Sequence, residues 1–226
     1  MKKTVFFDFD GTLTRAPKIW SVCAQRSLLE SGIDVDTELV RRYTRRIYPW
    51  DRFYMDNRGL TGDNFWKYVE NNFIRGFARM GIPQKNARKA AGLIRGHILN
   101  SGNYELFPDA VPALKLCREK GLPCHILSNN YPELEKVTED LGIREYFGKI
   151  FVSGLMGYDK PRTEMFEIAA KETGGKPYII GDNPIADIVG AKKAGFFTIL
   201  VRKDDINNAD FTCGGLLEAV NRIIED

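Results

Sequence analysis

The chain has 226 residues, 33 basic and 30 acidic, with a formal net charge of +3 and 43% apolar residues. This composition supports a sizeable core, excludes a disordered chain, and argues against a nucleic-acid binder built on a large basic excess. The charge is unevenly spread, however: Arg15–Asn100 holds 16 basic against 8 acidic residues, and the remainder holds 17 against 22.

At the N-terminus, Met1-Lys2-Lys3-Thr4 imitates the charged region of an export signal. Asp8 and Asp10 interrupt the apolar run Val5-Phe6-Phe7 at once, so no signal is expected. No stretch approaches the roughly 20 apolar residues of a membrane span. Cys23, Cys117, Cys124 and Cys213 are scattered without a C-x-x-C pair, and with only His97 and His125 they assemble no zinc-ligand spacing. Free thiols in a reducing compartment are expected. The expected setting is cytoplasmic, with no membrane or nucleic-acid partner, for a monomer or homodimer.

The first predicted strand is Thr4–Phe9. The next 86 residues, 15–100, show helical patterns at Ile19–Glu30, Thr37–Ile47, Asn64–Met80 and Asn86–Leu99 and no convincing strand. Beyond them, strands are predicted at Pro123–Leu127, Lys149–Val152, Pro177–Ile180 and Phe196–Val201. They alternate with helices Ala110–Glu119, Pro132–Leu141, Arg162–Thr173 and Pro184–Ala194, each closing at a glycine. Such alternation indicates βαβ units and a parallel sheet. The expected fold class is therefore α/β: a Rossmann-like parallel core formed by 1–14 and 101–226, with an inserted all-helical cap at 15–100. Hinges are expected near Thr14–Pro17 and Ser101–Asn103.

Ligands of open parallel sheets bind beyond the carboxyl ends of the strands. The first strand there runs into Asp8-Phe9-Asp10-Gly11-Thr12, and the second into Ser128-Asn129-Asn130. A loop after the third reaches Lys160-Pro161, and the fourth ends in Gly181-Asp182 with Asp187 five residues on. Four converging carboxylates need a counter-charge, and Mg²⁺ with its oxygen ligands suits them. In an extended strand Asp8 and Asp10 point to the same side, so one can attack while the other handles protons. Gly11 and Thr12 offer main-chain N–H groups at a tight turn for phosphoryl oxygens, Lys160 a compact positive charge, and Ser128 a neutral donor. Together they suit phosphoryl transfer.

These four pieces, in this order, resemble the motifs of the haloacid dehalogenase-like hydrolase superfamily, and the helical insertion after the first resembles members with a helical cap of the first type. The resemblance implies that Asp8 becomes an aspartyl phosphate, and that Asp10 protonates the leaving alcohol and then activates water. It implies that Ser128, Asn129 and Lys160 hold the phosphoryl group. Mg²⁺ would be held by the Asp8 carboxylate, the Asp10 carbonyl and Asp182, with Asp187 acting directly or through water and Lys160. Ala186 departs from the pattern, standing where many members carry Asn. The implied function is an Mg²⁺-dependent phosphatase acting on a small phosphorylated metabolite.

The alternatives are a phosphomutase of the β-phosphoglucomutase type, a haloacid dehalogenase, and, from another class, a phospho-receiver signalling module. The dehalogenase branch replaces the acid at the position of Asp10. Receiver modules lack an inserted lid and place adjacent acids after the first strand. Within the cap, 12 arginines include Arg41, Arg42, Arg45 and Arg46 on one helix. Arg52, followed by Tyr54 and Arg58 in an aromatic-rich loop, is expected to contact the leaving group.

Overall fold

The computed structural model describes residues 2–15, 18–204 and 208–226. The chain opens with strand β1 (Lys3–Phe7) and a two-residue strand β2 (Thr14–Arg15). Four helices follow: α1 (Ile19–Glu30), α2 (Thr37–Tyr43), α3 (Asp63–Arg79) and α4 (Gln84–Ile98), with a 3-10 turn at Pro49–Arg52. After the short β3 (Glu105–Leu106) come α5 (Ala110–Glu119), β4 (Cys124–Ser128), α6 (Leu134–Asp140), β5 (Phe147–Val152), α7 (Ser153–Met156) and α8 (Thr163–Thr173). The last part comprises β6 (Lys176–Gly181), a wide helical turn Pro184–Val189 continued by α9 (Gly190–Lys193), then β7 (Phe197–Val201), β8 (Phe211–Cys213) and α10 (Leu216–Glu225).

The main sheet has six strands in the order β5-β4-β1-β6-β7-β8, and every pairing is parallel. From β1 the chain builds outward to β4 and β5, then returns to the other side of β1 for β6, β7 and β8. The switch point falls at β1, which opens a crevice beyond its carboxyl end. Both sheet faces are covered: Val5 and Phe7 belong to one buried cluster, while Phe6 joins Leu127, Phe166 and Ile179 in another. Burial on both faces explains why these strands read as unbroken apolar runs.

Residues 19–98 contain no strand among those described. Phe65, Val69, Phe73 and Phe77 recur every fourth residue and are all buried, which gives α3 one apolar face. The facing stripe on α4 is Ala87, Ala90, Ala91, Ile94 and Ile98, small enough at its start for close approach. Asp36 caps α2 by accepting from the main-chain N–H groups of Glu38 and Leu39 at 2.8 and 3.3 Å. The two connections to this helical segment are tied together by the antiparallel pair β2–β3, with Thr14 opposite Leu106 and Arg15 opposite Glu105. Of the expected first hinge, Ala16 and Pro17 lie outside the described residues.

Three expectations shift. Helix α2 stops at Tyr43 instead of Ile47, and Arg46 takes a left-handed conformation with φ of 60° that no helix continues. The helix expected over Pro184–Ala194 starts as a wide turn, and Gly190 follows it where an added Cβ would lie 1.9 Å from the Pro161 carbonyl oxygen. Strand β8, a sixth member of the sheet, went unpredicted because Phe211–Cys213 is too short to show a pattern.

Candidate active site

Lys160 is the hub of the site. Its main chain is gripped by the Asn129 side chain, whose Nδ2 donates to the Lys160 carbonyl at 2.9 Å and whose Oδ1 accepts from the Lys160 N–H at 2.7 Å. The buried Nζ donates to Asp8 Oδ1 and the Leu127 carbonyl at 2.8 Å each, and to Asp187 Oδ1 at 2.5 Å. Burial alone would lower its pKa, but Asp187 and Asp8 outweigh that and hold the ammonium above the usual lysine range.

Asp8 follows β1 directly, and its N–H still bonds the Ile180 carbonyl at 2.9 Å, so the strand's direction carries through to the carboxylate. Asp187 is fully buried, and the wide turn brings its Oδ2 to the Asn183 N–H at 2.9 Å. Burial pushes its carboxyl up while Lys160 opposes. Asp182, after β6, is pushed up to about 6 by burial and by Asp8; Lys203 stands 3.7 Å away. Asp10 is pushed up to about 7, mainly by burial and then by Asp8, against a 2.9 Å hydrogen bond donated by Asn130. Its second oxygen, Oδ1, is buried without a partner among the described residues.

Asp8, Asp182 and Asp187 each place an oxygen within 4.8 Å of the others. The donors are all hard oxygens. Four carboxyl groups, those of Asp8, Asp10, Asp182 and Asp187, meet two ammonium groups, Lys160 and Lys203, so acids outnumber cations on this side of the cleft. A divalent cation of the Mg²⁺ type fits this set in charge and ligand chemistry. Gly11, with φ of +85°, backs the cluster closely: a Cβ there would stand 2.5 Å from Asp182 Oδ2, so only glycine leaves that carboxylate its place.

A cleft of about 580 Å³ opens over these groups, lined by Asp8, Asp10, Ser128, Asn129, Lys160, Asp182 and Asp187 on the sheet side. Ser128 is buried at the end of β4, and its hydroxyl is spent on no hydrogen bond among the described residues. The Asn129 side chain is engaged with the Lys160 main chain through both of its polar atoms. Gly11 and Thr12, expected at the phosphoryl group, do not line the cleft, and the Gly11 N–H is given to the Thr14 carbonyl at 2.9 Å. Instead they close the turn that holds Asp10.

The cap residues expected at the leaving group are also elsewhere. Arg52, Tyr54 and Arg58 do not line the cleft. Tyr54 is 73% exposed, and Arg58 folds back onto Asp56 through contacts of 2.7 and 2.9 Å. The helical side of the cleft is lined instead by Arg41, Arg45, Arg46 and Lys18, with the aromatic rings of Trp20, Tyr48 and Trp50. Two further site residues escaped the sequence reading: Asn130, which holds Asp10, and Asn183, whose side chain accepts from Ile185 and Ala186 N–H at 3.0 Å and shapes the turn carrying Asp187. Both are amides two residues past a strand end, the signal that could have singled them out. Ala186 contributes main chain only to this turn.

The model of the haloacid dehalogenase-like hydrolase family matches residues 2–195. The chain belongs to this family. Among its relatives, a glyceraldehyde 3-phosphate phosphatase of Methanopyrus kandleri is 27% identical over 211 residues, 90% of this chain and 85% of its own length. Among solved structures, the family hydrolase YfnB of Bacillus subtilis, bound to magnesium, superposes with a TM-score of 0.79 at 19% identity and covers 100% of this chain and 99% of its own. A 2-haloacid dehalogenase of Pseudomonas syringae reaches a TM-score of 0.71 at 21% identity, with the same coverage. These two likenesses speak to the fold, the α/β architecture of haloacid dehalogenase-like enzymes.

Proposed function

We propose that this hydrolase removes the phosphoryl group of a small phosphorylated metabolite, with Asp8 as nucleophile and Asp10 as general acid and base. The observation that carries the reading is the asymmetry of the two acids. Asp8 is ion-paired to Lys160 at 2.8 Å, whereas Asp10 is pushed up to about 7, where it can both hold and release a proton.

An Asp8 oxygen attacks phosphorus as the ester P–O bond breaks, and Asp10 gives its proton to the departing alcohol oxygen. Water then attacks the phosphorus of the aspartyl phosphate, Asp10 takes its proton, and the Asp8 carboxylate leaves. Ser128 donates to the phosphoryl oxygens with the Asn129 N–H beside it, and Lys160, whose three N–H bonds hold Asp8, the Leu127 carbonyl and Asp187, steadies the charge of Asp8 and of the phosphoryl group. Mg²⁺ would be held by Asp8, the Asp10 carbonyl and Asp182, with Asp187 acting directly or through water and Lys160, and when bound it offsets the charge of phosphoryl group and nucleophile.

In this reading residues 15–100 act as a cap over a core of 1–14 and 101–226, and they exclude bulk water from the reacting atoms. The presence of Asp10 favours a phosphatase over a dehalogenase. The test is phosphate release from sugar phosphates, nucleotides and phosphoglycolate with Mg²⁺, by the wild type and by Asp8→Asn. Turnover by the wild type and none by the folded variant is expected. Full activity of Asp8→Asn would overturn the mechanism, and halide release without phosphate release would overturn the function.

A further inference from the structure

Opposite the carboxylates, the same cleft carries a field of the other sign. Lys18, Arg41, Arg45 and Arg46 line it from the helical side. Lys18 and Arg41 share Glu38, the latter at 3.2 Å. Arg45 and Arg46 form no ion pair among the described residues, and the nearby Asp51 carboxylate accepts the Tyr48 N–H at 3.2 Å. Like charges gathered on one wall repel each other, so their position has to be enforced. Arg46 is held at a φ of 60° while the next carbonyl, that of Ile47, accepts the Asn72 amide at 3.0 Å, and the Thr44 hydroxyl donates to the Val40 carbonyl at 2.8 Å. Strain of this kind persists where the surroundings over-determine it and collects at ligand clamps. Beside the arginines, Tyr48 and Trp50 stack at 5.0 Å and Trp20 lies 4.8 Å from Tyr48. This aromatic wall lowers the local dielectric and strengthens any charge pairing there.

We infer that the substrate is doubly anionic: besides the phosphoryl group at Asp8, its leaving group carries a carboxylate or a second phosphate that Arg45 and Arg46 receive. This rests on the phosphatase reading above. On the helical wall Asp51, whose carboxylate accepts the Tyr48 N–H and is felt by Arg46, is one acid beside two arginines, and a neutral leaving group would add no anion to them. Planar forks of donors also suit oxyanions better than a lysine would.

Three esters on one carbon skeleton test this: glycerol 3-phosphate, with a neutral leaving group, 3-phosphoglycerate, with a carboxylate, and glycerol 1,3-bisphosphate, with a phosphate and no carboxylate. Wild type is expected to favour one of the two anionic esters by at least about tenfold in kcat/KM. The Arg45→Ala/Arg46→Ala variant should lose most of that preference through KM and lose less on glycerol 3-phosphate. Which anionic ester responds tells carboxylate from phosphate. Equal rates for all three esters, or equal losses on all three in the variant, would overturn the inference. Calorimetric binding of the three compounds to Asp8→Asn, with and without the two arginines, reads the same preference without turnover. Selective binding lost with the arginines supports the inference even if nothing is hydrolysed, a result that would sink the phosphatase reading alone; unselective binding overturns the inference.

Discussion

The Asn57 side-chain amide donates a 2.7 Å hydrogen bond to the carboxylate of Asp159, the residue immediately before Lys160. Both partners are buried. Asn57 lies between α2 and α3, and its amide also reaches the Pro49 carbonyl at 3.1 Å. Close by, Gly62 N–H bonds the Gly154 carbonyl at 2.9 Å and Arg162 bonds the Met55 carbonyl at 3.1 Å. The helical segment is thus stitched to the loop that delivers Lys160.

Replacing Asn57 by Ala leaves the buried Asp159 carboxylate, already pushed up by burial, without its strongest donor. A loss of about 1–3 kcal/mol in unfolding free energy is expected, the cost of an unsatisfied buried group. Because Asp159 sits next to Lys160, kcat should fall as well. Urea unfolding and steady-state kinetics check the two effects. A variant with unchanged stability and kcat would show that the stitch contributes nothing.

Lys160→Met removes the cation between Asp8 and Asp187, with which it makes contacts of 2.8 and 2.5 Å. Breaking a buried pair by deleting one partner costs about 3–5 kcal/mol, and two carboxylates are left facing each other. The loss should be largest at neutral pH and smaller toward pH 5, where the orphaned carboxyls can protonate and cease to repel. Denaturant midpoints of wild type and variant across that range measure it. A deficit that does not depend on pH would argue against charge as its cause.

The core and the side chains gathered at its sheet edge were readable because strand ends are punctuated: Asp8, Ser128 and Asp182 end or directly follow an apolar run, Lys160 lies in the loop beyond the third, and parallel topology brings such positions together. The cleft wall on the helical side was not readable from local signals. Arg45 and Arg46 lie where a left-handed residue turns the chain away from α2, and the exposed loop holding Arg52, Tyr54 and Arg58 only resembles a contact loop in composition. Gly11 shows the same limit. Its need for glycine follows from Asp182, 171 positions away, and not from the turn alone.

Asp10→Asn should separate the two half-reactions. The amide keeps the size of the acid and can neither give nor take the proton that the buried, raised carboxyl handles. With p-nitrophenyl phosphate the leaving phenolate needs little help from an acid, so the first step should still proceed. The second step, which needs a base for water, should stall. A rapid-quench experiment is expected to show a burst of nitrophenolate approaching one equivalent, followed by slow turnover. Linear release at the wild-type rate would remove Asp10 from the mechanism.

His125 gives a pH dependence of stability that is independent of catalysis. It lies on β4, buried, 5.3 Å from the Phe6 ring, and its Nδ1 accepts the Lys149 N–H at 3.0 Å. Burial, followed by the charge of Lys149, pushes its pKa down to about 4. In the unfolded chain an imidazole titrates near ~6.5. A depressed folded pKa means that the unfolded state binds the extra proton between those values. The stabilisation is therefore complete above about pH 6.5 and is lost as pH falls toward about 4. His125→Gln keeps an acceptor and cannot titrate. The unfolding free energy of wild type minus that of the variant should be flat above pH 7 and decline below it, with a slope approaching one proton. Chemical denaturation at half-unit steps from pH 4 to 8 measures that difference, and a difference that stays level throughout would show that His125 protonates equally well in the folded protein.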